Sequence, residues 1–370
     1  MKSKLVKAGW LGLGLGAAAL VLTMSQTASA GDVCVNCHTM HNSQNNAVMG
    51  TAGTNPQLLL SSSCLGCHTG TNNGTTVKHH VLTTAGAPTA TQLAGGNFYW
   101  TDQADNAAND AKAHNVTGLT TNSGDTALGD TPPGAAGAMA GNITCAATTG
   151  CHGKRTTVYV TGADEFSDLG GAHHANTSGQ ISLPTVGSPG TGYRFLDGIK
   201  GYEVANREYE TDQTAASHNE YYGANRANDS DSDTATISSL CAQCHPNFHN
   251  DSGGQALGSG ASNIASPWLR HPTDIKMNNA SEYAAYYTAG YSVLAPVARS
   301  AVPAASSATV DAVAGTDAIV MCLSCHKAHG SEYADILRWD YDAGTTACVS
   351  EIGAGPGAGC GCFKCHSGKD

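Results

Sequence analysis

The sequence predicts a chain that is mostly coil, with few short helices and minimal strand, wrapped around material other than its own side chains. Only 13% of the 370 residues are charged and 6% are aromatic, whereas 45 are glycine. Typical globular domains carry about 25% charged residues, and five Phe and four Trp are too few for a large core. The formal net charge of -11 excludes a basic nucleic-acid-binding protein. Something other than side chains must therefore fill the interior.

Residues 1–30 have the features of a cleaved export signal. Lysines lie near the start, an apolar segment runs over residues 11–22, and residues 28–30 read Ala-Ser-Ala, the form of a cleavage site. The apolar segment is shorter than the roughly 20 residues of a membrane span, so release is favoured over an uncleaved anchor. We expect export through the Sec pathway, no membrane span after cleavage, and a single domain over residues 31–370.

Cysteine spacing indicates the material that fills the interior. Five Cys-x-x-Cys-His motifs are present, and this is the attachment signature of c-type haem. Two thiols reach the two vinyl groups on one porphyrin edge, and the next residue places its imidazole under the iron. Five copies in one exported chain disfavour zinc-binding and thioredoxin-like interpretations. The motifs are Cys34, Cys37 and His38; Cys64, Cys67 and His68; Cys241, Cys244 and His245; Cys322, Cys325 and His326; and Cys362, Cys365 and His366.

A sixth motif is irregular, because five residues separate Cys145 from Cys151, which is followed by His152. The extra loop can bulge without moving Cys151 or His152, so we expect a haem there too; the alternative is a Cys145–Cys151 disulfide. The sequence therefore predicts a multihaem c-type cytochrome with six covalently bound haem c groups. Cys348 and Cys360 remain, and we expect them to form a disulfide, the alternative being free thiols.

Histidine supply agrees with two histidines on every iron. Of 16 histidines, six belong to the motifs, and the remaining ten exceed the six distal ligands required. His41 and His329 lie three residues beyond a motif histidine, and His249 lies four beyond. So short a connection cannot fold back over the same haem, but it can supply an imidazole to a neighbouring one. Methionine ligation, which raises the potential, is the less simple assignment.

No catalytic signature is present, which favours an electron carrier over an enzyme. If every iron holds two histidines, no coordination position is open to substrate. The protein then holds haems close together and sets their potentials through ligands and burial. A soluble periplasmic electron shuttle and a multihaem reductase are the alternatives, and the reductase would need one five-coordinate iron.

The motif regions resemble a known family. Residues 34–43 read Cys-Val-Asn-Cys-His-Thr-Met-His-Asn-Ser, residues 61–68 read Ser-Ser-Ser-Cys-Leu-Gly-Cys-His, and residues 269–272 read Leu-Arg-His-Pro. In these segments, and in the order and spacing of all six sites, the chain resembles the OmcS-type hexahaem outer-surface cytochromes of metal-reducing bacteria. The resemblance covers the motif regions from Cys34 to Asp370, while the long spacers diverge.

The resemblance implies six bis-histidine haems, little secondary structure, and head-to-tail polymerisation into extracellular filaments that pass electrons to acceptors such as metal oxides. It implies that His41 ligates the haem on Cys322, Cys325 and His326 of the neighbouring subunit. The irregular third motif departs from the family. His173, His174 and His218 have no clear match, and these three and His79 are left as alternative distal ligands. The distal ligands implied by the resemblance are His41, His80, His114, His249, His271 and His329.

Overall fold

The computed structural model describes part of the chain, including most of the motif regions. The described residues are 43–44, 47–48, 64–72, 80–88, 94–102, 107–119, 131–135, 137, 139, 143–146, 148–153, 155, 193, 196–203, 213–228, 233–249, 270–341 and 360–366.

Helices are short throughout this part of the chain. None of them is long and apolar enough to cross a membrane. The α-helices are α1 (Leu65–His68), α2 (Ala107–Asp110), α3 (Ile237–Ala242), α4 (Ala284–Ala289) and α5 (Cys362–Cys365). Turns of 3-10 helix cover Phe98–Trp100, Pro246–Phe248, Ser281–Tyr283, Cys322–Ser324 and Ala334–Ile336.

Strands are two or three residues long and occur as isolated two-stranded ladders. The β3–β4 pair is parallel, and the other three pairs are antiparallel. The expectation of a mostly coil chain with few short helices and minimal strand is confirmed for the described residues. The strands are β1 (Ser43–Gln44), β2 (Ala47–Val48), β3 (Thr144–Ala146), β4 (Gly150–His152), β5 (Gly201–Tyr202), β6 (Glu220–Tyr221), β7 (Ile275–Lys276) and β8 (Ile319–Val320).

Among the described residues, apolar side chains gather in three small clusters instead of one core. We name each cluster after one member, and each packs beside a haem motif. The Leu65 cluster comprises Leu65, Leu82, Phe98, Ala113, Val116 and Leu119, with Cys145 packed against it. The Ile319 cluster comprises Tyr193, Leu196, Ile199, Tyr221, Ile237, Leu240, Ala298, Ile319, Met321 and Leu323. The Tyr286 cluster comprises Met277, Tyr286, Tyr287, Tyr291, Val297, Val310 and Ala318, with Cys365 packed against it.

A fully buried ion pair ties together segments that regular structure does not join. The Arg299 guanidinium lies 3.0 Å from Glu220 Oε2, and neither side chain is exposed to solvent. Arg299 also donates to the backbone carbonyls of Ser307, Thr316 and Asp317. Because the pair has its hydrogen bonds satisfied, it can stay buried without leaving an uncompensated charge.

Candidate haem-binding sites

The regular motifs in the described part of the chain adopt one common backbone conformation. In each, the motif histidine N–H donates to the carbonyl of the first motif cysteine, at 2.9 to 3.0 Å. This is the hydrogen bond of one helical turn, which places residues three and four apart on the same face. Both thiols and the imidazole therefore lie on one side of the turn. The four histidines are His68, His245, His326 and His366.

The third motif has a different backbone conformation from the regular motifs. Cys145 lies in β3 and Cys151 in β4, which pair in parallel with Ala146 opposite His152. The chain approaches itself so closely between them that a Cβ at Gly150 would lie 2.5 Å from the carbonyl oxygen of Ala146. Both cysteines are free thiols, so the alternative of a Cys145–Cys151 disulfide is not what the structure contains.

Three motif histidines each face a histidine from a distant part of the chain. The ring centroids are 6.2 Å apart for His114 and His245. They are 6.3 Å apart for His152 and His329, and 6.2 Å for His271 and His366. Each pair joins one motif histidine to one residue of the distal set implied by the resemblance.

These separations fit a single iron between the two rings. A metal–imidazole bond is about 2.0 Å long, and the ligating nitrogen lies about 1.1 Å from its ring centroid at ordinary C–N bond lengths. Two rings on opposite sides of one iron therefore have centroids about 6.2 Å apart. The residues present thus suit a bis-histidine haem at three sites. Among the described residues, no group of three or more His, Cys, Asp or Glu side chains gathers as a zinc-type site.

Hydrogen bonds at Nδ1 hold three of the histidines in the form that binds a metal through Nε2. The Nδ1 atoms of His114, His245 and His326 lie 2.8, 2.7 and 2.7 Å from the carbonyl oxygens of Ala328, Pro133 and Asp335. A carbonyl can only accept, so Nδ1 carries the proton and Nε2 keeps its lone pair. A backbone partner at the second nitrogen is the usual arrangement for a metal-bound histidine.

The surroundings also favour the neutral form that ligates a metal. Desolvation by the surrounding protein lowers the pKa of His114, His271 and His326. None of the three residues is fully buried. At neutral pH these imidazoles are therefore available as ligands.

Neighbouring motifs lie near one another in chain order. Cys145 packs against the cluster that contains Leu65 of the second motif. The Arg155 side chain donates to Cys151 O of the third motif and to Gln243 Oε1 inside the fourth. Helix α3, which carries the first cysteine of the fourth motif, packs against the 3-10 turn Cys322–Ser324 of the fifth. The second to fifth motifs therefore lie beside one another in the order of the chain.

His326 differs from the three paired motif histidines. The residue is exposed, and its Nδ1 is held by Asp335 O, as described above. Within the part of the chain that the structure describes, no other histidine ring lies beside it at the separation of the three pairs.

Two of the implied distal histidines are held in other ways. Nε2 of His249 lies 2.9 Å from Asp274 Oδ2, and both side chains are buried. Iron ligation by that nitrogen would require exchange of this hydrogen bond for the metal. The backbone of His80 is bound by the side chain of Asn72, and its buried Nδ1 has no hydrogen-bond partner among the described residues. The His80 ring packs closely against Gly70, because a Cβ added at that glycine would lie 3.0 Å from the ring.

His218 has a structural environment that sequence reasoning did not reveal. Its Nδ1 lies 3.1 Å from Thr214 O and its Nε2 3.1 Å from Glu220 Oε1, and the side chain has no exposed surface. The ring stacks on Tyr291 with centroids 3.5 Å apart. With both nitrogens engaged, His218 is not placed as a distal ligand. The polar Glu220 two residues later was the only nearby sequence signal.

Several predicted residues lie outside the described part of the chain. Cys360 is buried and disulfide-bonded, but its expected partner Cys348 is among the undescribed residues. The residues that lie outside are Cys34, Cys37, His38, His41, His79, His173, His174 and Cys348.

Comparison with known proteins finds similarity to a c-type cytochrome. No family model matches the chain. The chain is 28% identical over 387 residues to the C-type cytochrome OmcS of Geobacter sulfurreducens, covering 88% of this chain and 84% of that protein. The chain resembles OmcS.

Two solved structures are also similar to this chain. One is the Outer Membrane Cytochrome S filament of Geobacter sulfurreducens, with a TM-score of 0.49, 23% identity and 88% of both chains covered. The other is a cryo-EM structure of OmcS nanowires from the same organism, with a TM-score of 0.48, 23% identity and 86% of both chains covered.

Proposed function

We propose that this protein is a six-haem, bis-histidine c-type cytochrome that carries electrons outside the cell. The observation that carries the proposal is the set of three histidine pairs at 6.2 to 6.3 Å. Each pair combines a histidine next to attachment cysteines with one from a remote segment. Similarity to the C-type cytochrome OmcS supports covalent attachment of haem c.

The proposed haem ligands follow from the motifs and the pairs. The twelve motif cysteines would form the thioether bonds, and the motif histidines would be the proximal ligands. His245, His152 and His366 would share their irons with His114, His329 and His271. His80 and His249 would complete two further sites, His249 after release from Asp274.

Electron transfer is the chemistry that this arrangement supports. When bound, haem supplies a one-electron couple, and two histidines per iron leave no position for substrate. The protein residues hold the neutral imidazoles in place through Nδ1 and keep consecutive motifs in contact. We therefore propose an electron carrier and not an enzyme.

We further propose that identical subunits assemble head to tail, with His41 ligating the iron held by His326 of the neighbouring subunit. The exposure of His326 and its lack of a facing histidine among the described residues support this. A head-to-tail contact that does not close produces a filament. The expected signal peptide would export the chain, and extracellular acceptors such as metal oxides would receive the electrons.

Replacement of His41 tests the assembly. We expect His41→Ala to keep all covalent haem, measured by intact mass, and to remain monomeric by electron microscopy and size-exclusion chromatography. His173→Ala, which changes a histidine outside the proposed ligand set, should form filaments like the parent. His41→Met keeps a ligating side chain and should keep the filaments while raising the potential of one haem. Filaments of normal length from His41→Ala would overturn the proposed inter-subunit ligation.

A further inference from the structure

The last motif histidine has a different kind of hydrogen-bond acceptor from His245 and His326. Nδ1 of His366 lies 3.0 Å from Oε2 of Glu282, a carboxylate oxygen. The other ring Nδ1 contacts described above for His114, His245 and His326 are to neutral backbone carbonyls. Its paired partner, His271, has Nδ1 3.0 Å from the carbonyl of Pro272. Glu282 therefore gives the sixth site a charged acceptor.

The fold holds this carboxylate in place from two sides. Glu282 lies in the 3-10 turn Ser281–Tyr283, which runs directly into α4. Helix α4 packs against α5, which carries the sixth motif. The Tyr283 ring contacts the His366 ring edge to face, with centroids 5.3 Å apart. The contact is thus part of a packed helix pair and not a chance meeting of surface side chains.

A charged acceptor changes the electronic character of the ligand. A hydrogen bond to a carboxylate is stronger than one to a neutral carbonyl, and it draws the Nδ1 proton away from the ring. The imidazole then becomes a more basic ligand. A more basic ligand stabilises ferric over ferrous iron, so the reduction potential falls. Partial exposure of both side chains, 21% for His366 and 27% for Glu282, weakens the effect through solvent screening.

We propose that Glu282 is a positioning residue that lowers the reduction potential of the haem held by Cys362, Cys365 and His366. The inference rests on the proposed haem-binding function. At the fifth site, the corresponding acceptor is a carbonyl, from Asp335. The sixth haem is therefore reduced less favourably than it would be if His366 donated to a carbonyl. An added electron is held there correspondingly less strongly.

Glu282→Gln tests the proposal with a nearly isosteric neutral side chain. We expect the sixth haem to be reduced three- to tenfold more favourably, which is a positive shift of about 28–59 mV at 59 mV per tenfold change. Redox titration followed by the EPR signals of low-spin ferric haem measures this potential without activity. Glu282→Asp keeps a carboxylate on a shorter side chain and should shift the same haem by less.

Asp335→Asn is the matched control. Asp335 also lies beside a motif histidine, but it binds His326 through its backbone carbonyl, which the substitution keeps. Its φ of 57° is one that asparagine adopts readily. The control removes one carboxylate near a haem site. It should change the equilibrium constant for reduction of each haem by less than threefold.

The outcomes separate this inference from the proposed function. Intact low-spin haem at the sixth site, with unchanged potentials in both Glu282 variants, would overturn the role of Glu282 alone. Equal shifts in Glu282→Gln and Asp335→Asn would also overturn it, since they would reflect net charge only. A parent protein without covalent haem on Cys362 and Cys365 would overturn the proposed function itself.

Discussion

Removal of a single distal ligand should open one iron and leave the others closed. In His329→Ala, the haem on Cys145 and Cys151 would keep its thioether bonds and its proximal ligand His152. Because the His152 and His329 ring centroids are 6.3 Å apart, loss of the His329 ring leaves space on one face of the iron for a diatomic ligand. The variant should therefore contain one five-coordinate, high-spin haem.

The expected amount of CO bound by the variant follows from the loss of one histidine at one iron. One open coordination position binds one small ligand, so we expect about one CO per ferrous chain in the variant and essentially none in the parent. Loss of the ring also removes a contact with Phe98, whose ring centroid lies 5.1 Å away. We expect the free energy of unfolding to fall by only about 1–2 kcal/mol, within the common range for single substitutions.

CO titration of the reduced protein, monitored in the Soret band, provides the assay. His218→Gln is the control, because His218 is a buried histidine whose two nitrogens already contact Thr214 O and Glu220 Oε1. It should bind no CO. CO binding by the His218 variant, or its absence in His329→Ala with all haem attached, would refute the assignment of His329 as the distal ligand.

Two further predictions concern stability. Arg299→Met should lower the free energy of unfolding by about 3–5 kcal/mol, because it strands the buried Glu220 carboxylate; chemical denaturation would show this, and adding Glu220→Gln should recover part of the loss. Burial raises the pKa of Tyr286, so the folded chain keeps a proton that unfolded tyrosine loses above about pH 10, and stability falls as pH rises further. Tyr286→Phe removes the hydrogen bond to Ala295 O, so the free energy of unfolding should fall by about 1 kcal/mol at neutral pH. Above about pH 10, the free energy of unfolding of the variant should fall less steeply with pH than that of the parent. An unchanged alkaline slope would contradict this.

Local spacing carried the predictions that depend on a single helical turn. Residues three and four apart share a helix face, so Cys-x-x-Cys-His alone indicates that both thiols and the imidazole lie together. The structure has this turn at Cys241 to His245 and at the other regular motifs it describes. The third motif departs from it, because its longer spacing is accommodated by the β3–β4 ladder.

Pairing between distant histidines could not be predicted from spacing. His114 Nδ1 is held by Ala328 O and His245 Nδ1 by Pro133 O, both from segments remote in the chain. The approach of the two rings therefore depends on tertiary packing. The resemblance named the distal candidates, but a partner only for His41. The burial of His218 and the hydrogen bond between His249 and Asp274 depend on tertiary neighbours that leave no local signal. None of these placements could therefore be predicted from the sequence.

Cryo-EM of the untagged protein purified from the extracellular fraction is the most direct test of the proposed head-to-tail filament. We expect filaments with an uninterrupted row of haems, and density that joins His41 of one subunit to the iron held by His326 of the next. Dispersed particles, each with six haems ligated entirely within one chain, would rule out the filament and indicate a soluble electron shuttle.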